Sequence, residues 1–105
     1  MHLEHYPIEK LKKEILEIMS AHLDLRHYRV FFFGSRVTGA GTDRSDIDVG
    51  IQGSAPIPAK AWIEVQDAFE NFPTLYKIDI VDFGRVAAIF CDVALRHTED
   101  IMIPV

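Results

Sequence analysis

A single cysteine, Cys91, leaves the chain without a partner for an internal disulfide and without a cysteine-rich zinc site. Long apolar runs are missing too: no stretch reaches the roughly 18 residues that a bilayer-spanning helix needs. The N-terminal segment is charged and helical in pattern, unlike a signal peptide, so the expected setting is a reducing cytoplasm. Positive charge is scarce. Lys and Arg total 11 against 16 Asp and Glu, a net charge of -5, which argues against strong non-specific binding of nucleic acid, an affinity that comes largely from cationic side chains neutralising phosphates. Common signatures of nucleotide and metal chemistry are also absent: there is no GxxxxGK[ST], no GxGxxG and no HExxH. His2, His5, His22, His27 and His97 lack zinc spacing and read as surface or turn residues. No repeat, low-complexity tract or linker interrupts the chain.

What is present fits one ordinary folded domain. Hydrophobic residues make up 49% and charged residues 26% of 105 positions, enough apolar material for one modest core and against intrinsic disorder. Residues 1–105 are therefore expected to form a single unit. If catalytic, such a unit has no room for a separate substrate domain.

Periodicity gives alternating helices and strands. Ile8, Leu11, Ile15, Ile18, Met19 and Leu23 recur at three- and four-residue spacing from Pro7 to about Leu23, the mark of an amphipathic helix. Tyr28 to Phe33 is a short aromatic and β-branched run that reads as a central strand covered on both sides. A glycine-rich loop follows, then a second strand over Asp46 to Ile51. Trp62, Val65, Phe69 and Phe72 mark a helix from Ala59, stopped by Pro73. Tyr76 to Asp82 forms a third strand with Tyr76, Ile78 and Ile80 on one face and Lys77, Asp79 and Val81 on the other. A last helix is expected from about Arg85 to Arg96, with Cys91 near its apolar stripe. Asp100 to Val105 suits a small edge strand or a turn. The fold class is thus α+β: a small mixed β-sheet with packed helices.

The carboxylates carry the candidate chemistry. Asp46 and Asp48 stand two apart in an apolar strand, so their side chains leave one face and can reach one cation. Such a pair repels itself, and a divalent cation relieves the repulsion. A plainer reading has Asp43, Ser45 and Asp46 as turn residues and Asp48 facing water. Asp79 shifts the balance, because a third strand in a small sheet tends to neighbour one of the first two. Three carboxylates from two adjacent strands make a hard oxygen site suited to Mg2+ or Mn2+, and such a site suggests phosphoryl or nucleotidyl transfer. Gly34 and Ser35, just after the first strand, offer a turn whose amides and hydroxyl can meet phosphate oxygens. Arg36 and Arg44 flank that loop as cationic partners for a triphosphate.

Taken together, Phe33-Gly34-Ser35-Arg36, Gly39, Ser45-Asp46-Ile47-Asp48 and the later Ile78-Asp79-Ile80-Val81 resemble the minimal nucleotidyltransferases of the polymerase-beta-like superfamily. The resemblance covers essentially the whole chain. It implies that Gly34 and Ser35 hold the nucleotide's phosphates, with Ser45, Arg36 and Arg44 nearby. It also implies that Asp46 and Asp48 are the first two metal-binding carboxylates and Asp79 the third, near the attacking hydroxyl. Members use magnesium and a nucleoside triphosphate, here expected to be ATP. Small stand-alone members are often antitoxins paired with a helical HEPN-type toxin, and some transfer AMP onto a tyrosine of that partner. The expected function is therefore adenylyl transfer to a partner tyrosine. Transfer to a small molecule or an RNA end is the enzymatic alternative, and neutralisation of a partner by occlusion alone is the non-catalytic one.

Overall fold

The structure is a computed structural model that describes residues 3, 6–38, 46–72, 76–86 and 88–101, without the side chains of residues 35 and 38. Gly39, Arg44 and Ser45 lie outside the described residues.

Helix α1 spans Ile8–His22 and buries Leu11, Ile15 and Met19 of the predicted stripe together with Leu16, which the spacing did not single out, while Ile8 and Ile18 are only partly buried. Strand β1 covers Tyr28–Phe33, and the short helix α2 covers Ser35–Thr38. Strand β2 (Ile47–Gly53) and helix α3 (Ala59–Glu70) follow. Strand β3 (Ile78–Asp82), helix α4 (Ala88–Ala94) and the two-residue strand β4 (Glu99–Asp100) complete the described elements.

The strands form one mixed sheet in the order β3-β2-β1-β4. β1 pairs antiparallel with β2 and with β4, while β2 and β3 run parallel, as a strand-helix-strand unit with α3 as its crossover requires. Alternation along each strand then sorts side chains between two faces. Val30, Phe32, Ile47, Val49 and Ile51 join Leu11, Ile15, Met19, Val65 and Phe69 in the main core, so α1 and α3 cover this face. The opposite face carries a smaller aromatic cluster of Phe31, Phe33 and Phe83, with Val81, Val86, Cys91, Ala94 and Leu95 packed on it. Phe83 lies edge-on to Phe31 and Phe33 at centroid distances of 5.1 and 5.2 Å, a favoured aromatic geometry. Gly50 makes room for this cluster, since a Cβ there would stand 2.5 Å from the Phe31 ring and 2.8 Å from the Phe83 ring.

Helix α4 is shorter than its apolar spacing predicts. Arg85 explains much of the difference: its Nε donates to Asp82 Oδ2 at 3.1 Å and its guanidinium also donates to the Ile57 carbonyl. The chain around Arg85 is thereby tied to the end of β3 as a turn. Buried Asp82 also accepts from the Ile57 and Gly84 amides, both at 2.9 Å. With its oxygens satisfied in this way, Asp82 is a structural carboxylate that braces the β2–α3 connection.

Candidate active site

The register of the sheet assembles the site. Asp48 on β2 pairs directly with Asp79 on β3, and across the other edge of β2 it pairs with Phe33 on β1. Directly paired residues share a face, so Asp48 and Asp79 emerge together on the face away from α1 and α3. Asp46 precedes β2 by one residue, and its neighbourhood is fixed by the Ile47 amide, which donates to the Lys77 carbonyl at 2.9 Å. Asp46 and Asp79 reach each other closely enough for one carboxyl to hydrogen-bond the other. The three aspartates singled out by the sequence are thus brought together at one corner of the sheet.

Their electrostatics bear the mark of crowded like charges. Burial raises the Asp48 pKa, and the Asp79 and Asp46 charges raise it further. Asp79 is also raised, first by burial, then by its hydrogen bond with Asp46, with Lys77 pulling in the opposite direction. The Lys77 ammonium lies 3.8 Å from both Asp46 Oδ2 and Asp79 Oδ1. The sequence placed Lys77 on the Asp79 face by period-two alternation. Its bridge to Asp46 was invisible without the β2–β3 register.

Gly34 links this corner to β1. Its φ of 82° lies in the left-handed region that favours glycine, and a Cβ on it would fall 2.2 Å from Asp48 Oδ2. The Asp48 carboxylate therefore rests against the bare backbone of the turn. Val37 donates its amide to the Gly34 carbonyl at 3.2 Å, starting α2. The Arg36 guanidinium lies over the Tyr76 ring, 5.0 Å from its centroid, so it spans from α2 toward the start of β3.

All-oxygen, mutually repelling carboxylates fit a hard divalent cation such as Mg2+, which takes one or two protein carboxylates and substrate phosphates. Among the described residues, however, no three acidic, imidazole or thiol side chains close on one point as a finished metal cage. The three aspartates thus share one corner of the sheet, with the Lys77 ammonium beside Asp46 and Asp79, but do not close on a single point.

Two recesses flank the corner. One, of about 430 Å³, lies toward β1 and α4 and is lined by Phe33, Gly34, Phe90, Val93, Arg96 and His97 among others. The second, also about 430 Å³, lies at the β3 edge, where Phe69, Phe72, Tyr76, Lys77 and Asp79 contribute to its lining. Sequence reasoning missed the first because its walls are far apart in the chain.

Comparison with known proteins decides the family. The model of the family described as Polymerase beta, Nucleotidyltransferase, matches residues 13–103. The chain belongs to this nucleotidyltransferase family. A Haemophilus influenzae protein named "Probable protein adenylyltransferase MntA" is 28% identical over 85 residues, spanning 79% of this chain and 75% of that protein. Two solved structures share the nucleotidyltransferase fold. One, described as a toxin-antitoxin with AMP-PNP, has a TM-score of 0.65 and 17% identity, covering 89% of this chain and 73% of that one. The other is a Shewanella oneidensis complex of a tri-AMPylated HEPN toxin with an MNT antitoxin, with a TM-score of 0.59 and 15% identity, covering 91% and 73%. Among the described residues of this nucleotidyltransferase, no helix is long and apolar enough to cross a membrane.

Proposed function

We propose that the chain is an adenylyltransferase antitoxin: it moves AMP from ATP to a hydroxyl on a protein partner, a tyrosine of a helical HEPN-type toxin. One observation carries the reading, the side-by-side registration of Asp48 and Asp79 on the open sheet face with Asp46 in hydrogen-bonding reach. The relative named an adenylyltransferase, and the structural neighbours described with a HEPN toxin and with AMP-PNP, support the donor and the partner class.

In the reaction the acceptor oxygen attacks the α-phosphorus. A new O–P bond forms, the bond from that phosphorus to the oxygen bridging it to the β-phosphate breaks, and pyrophosphate leaves. Asp46, Asp48 and Asp79 would hold Mg2+, which when bound supplies charge neutralisation at the phosphates and a lowered pKa at the acceptor oxygen. Asp79, with its raised pKa and its place beside the β3-edge recess, is suited to take the acceptor proton. The Gly34 turn, with Ser35 and Ser45, orients the β and γ phosphates, and Arg36 and Arg44 offset their charge.

Ile89, Phe90 and Val93 of α4 are 78%, 43% and 60% exposed on the face that bears the carboxylates, apolar surface next to the chemistry that is open to either reactant, nucleotide or acceptor. The deciding experiment is the intact mass of the partner co-expressed with wild type or with Asp46→Asn/Asp48→Asn. Whole AMP additions found only with wild type are expected. An unmodified partner that is still neutralised by wild type would replace transfer with occlusion.

A further inference from the structure

We propose that the recess between the Gly34 turn and α4 is the nucleobase pocket, so that part of the exposed apolar surface of α4 is taken by the donor nucleotide and not by a protein partner. The inference rests on the nucleotidyl-transfer reading of the carboxylates and assigns the remaining portion of the same substrate.

Three observations point there. The recess is continuous with the carboxylate corner through Gly34, which touches Asp48 on one side and lines the recess on the other. Its floor, Phe33, is the direct cross-strand partner of Asp48, so the Cα atoms of floor and carboxylate residue lie about 4.5–5.5 Å apart and their side chains leave the same face. A nucleotide whose phosphates lie at the turn can therefore set its base in the recess by extending across one residue pair. The lining also suits a flat heterocycle. Phe90 is 43% exposed and stands edge-on to Phe33 with centroids 6.2 Å apart, while Val93 and Ala94 add aliphatic wall. Arg96 and His97 complete the lining with groups that can hydrogen-bond a base edge. The volume of about 430 Å³ falls within the usual range for small-ligand sites. By contrast, Ile89 does not line this recess and stays available to a partner.

The test compares two probes on the full chain, magnesium ATP and magnesium tripolyphosphate, which share phosphate chemistry and differ in the nucleoside. Calorimetric titration of wild type, Phe90→Ala and Val93→Trp is the measurement. Val93→Trp fills the recess from a position that is 60% exposed, so it complements Phe90→Ala, which also removes aromatic contacts to Phe33 and Phe83. Wild type is expected to prefer ATP, and each variant to weaken ATP at least about fivefold, the low end for losing a stacked base, with tripolyphosphate within about twofold. Equal weakening of both probes, or ATP unaffected by both variants, overturns the pocket. Wild type that binds tripolyphosphate as tightly as ATP also overturns it and leaves the transferase reading standing. Wild type that binds neither probe overturns that reading, and the pocket with it.

Discussion

The two faces of one sheet are built for different purposes. On the core face, Ile47, Val49 and Ile51 of β2 are fully buried beneath α1 and α3. On the other face the same strand presents Asp48 and Gly50, and cover comes from one short helix and three phenylalanines at the far side. Period-two alternation separates these roles residue by residue, so a strand whose one face is fully packed in the core also carries the reactive group. Stability and chemistry should therefore be separable by mutation, position by position.

The sharpest break in the comparison comes from the core face. Phe32→Ala empties a fully buried site and is expected to cost about 3–5 kcal/mol, much of a small domain's total stability. Chemical denaturation should show a large fall in midpoint, with nucleotide binding lost only through unfolding. Gly34→Ala lies on the border between the two roles. Holding alanine in the left-handed conformation that Gly34 adopts costs about 1–2 kcal/mol, and the added Cβ collides with the Asp48 carboxylate. Thermal unfolding should report a modest loss, while transfer to the partner falls far more than stability does. A mutant that keeps full transfer would show that the turn does not position the nucleotide.

Asp48→Asn should be the mildest for stability and severe for transfer. Burial and neighbouring charges raise the Asp48 pKa in the folded chain, so the folded state binds the proton more tightly than the unfolded one. Stability of the metal-free protein then falls as pH rises from about the ordinary value of 3.8 through the raised value, and levels off above it. Asn removes this contribution, so the mutant should unfold at an equal or slightly higher temperature at neutral pH, by no more than about 4 °C, with a flatter pH profile. A large drop in midpoint would make Asp48 structural. Asp24 works in the opposite sense: its bonds to Arg26 lower its pKa from 3.8 to about 2. Its contribution is present above 3.8 and is lost as pH falls through about 2.

Where side-chain periodicity speaks to one element at a time, the sequence was legible. The bounds of β1, the Leu11, Ile15 and Met19 part of the buried stripe of α1 and the two faces of β3 follow from apolar spacing alone. The candidate aspartates were readable because Asp46 and Asp48 share a face by their spacing and Asp79 interrupts an apolar strand. Features that need two distant segments were hidden. Strand order, the Lys77 bridge to Asp46 and the recess between β1 and α4 all depend on tertiary register. Helix α4 starts later than apolar spacing predicts because Arg85, which that spacing puts in the first turn, is committed to Asp82 and Ile57.

The parallel alignment of β2 with β3 has a consequence for how the chain checks its own folding. Slipping β3 by one position would swap its faces, driving Asp79 and Lys77 toward the core and turning Ile78 and Ile80 out to water. A mispaired chain would thus pay in buried charge for the same error that dismantles its active corner. Proofreading of the fold and certification of the site are one event, and no catalytically competent but misregistered form should accumulate.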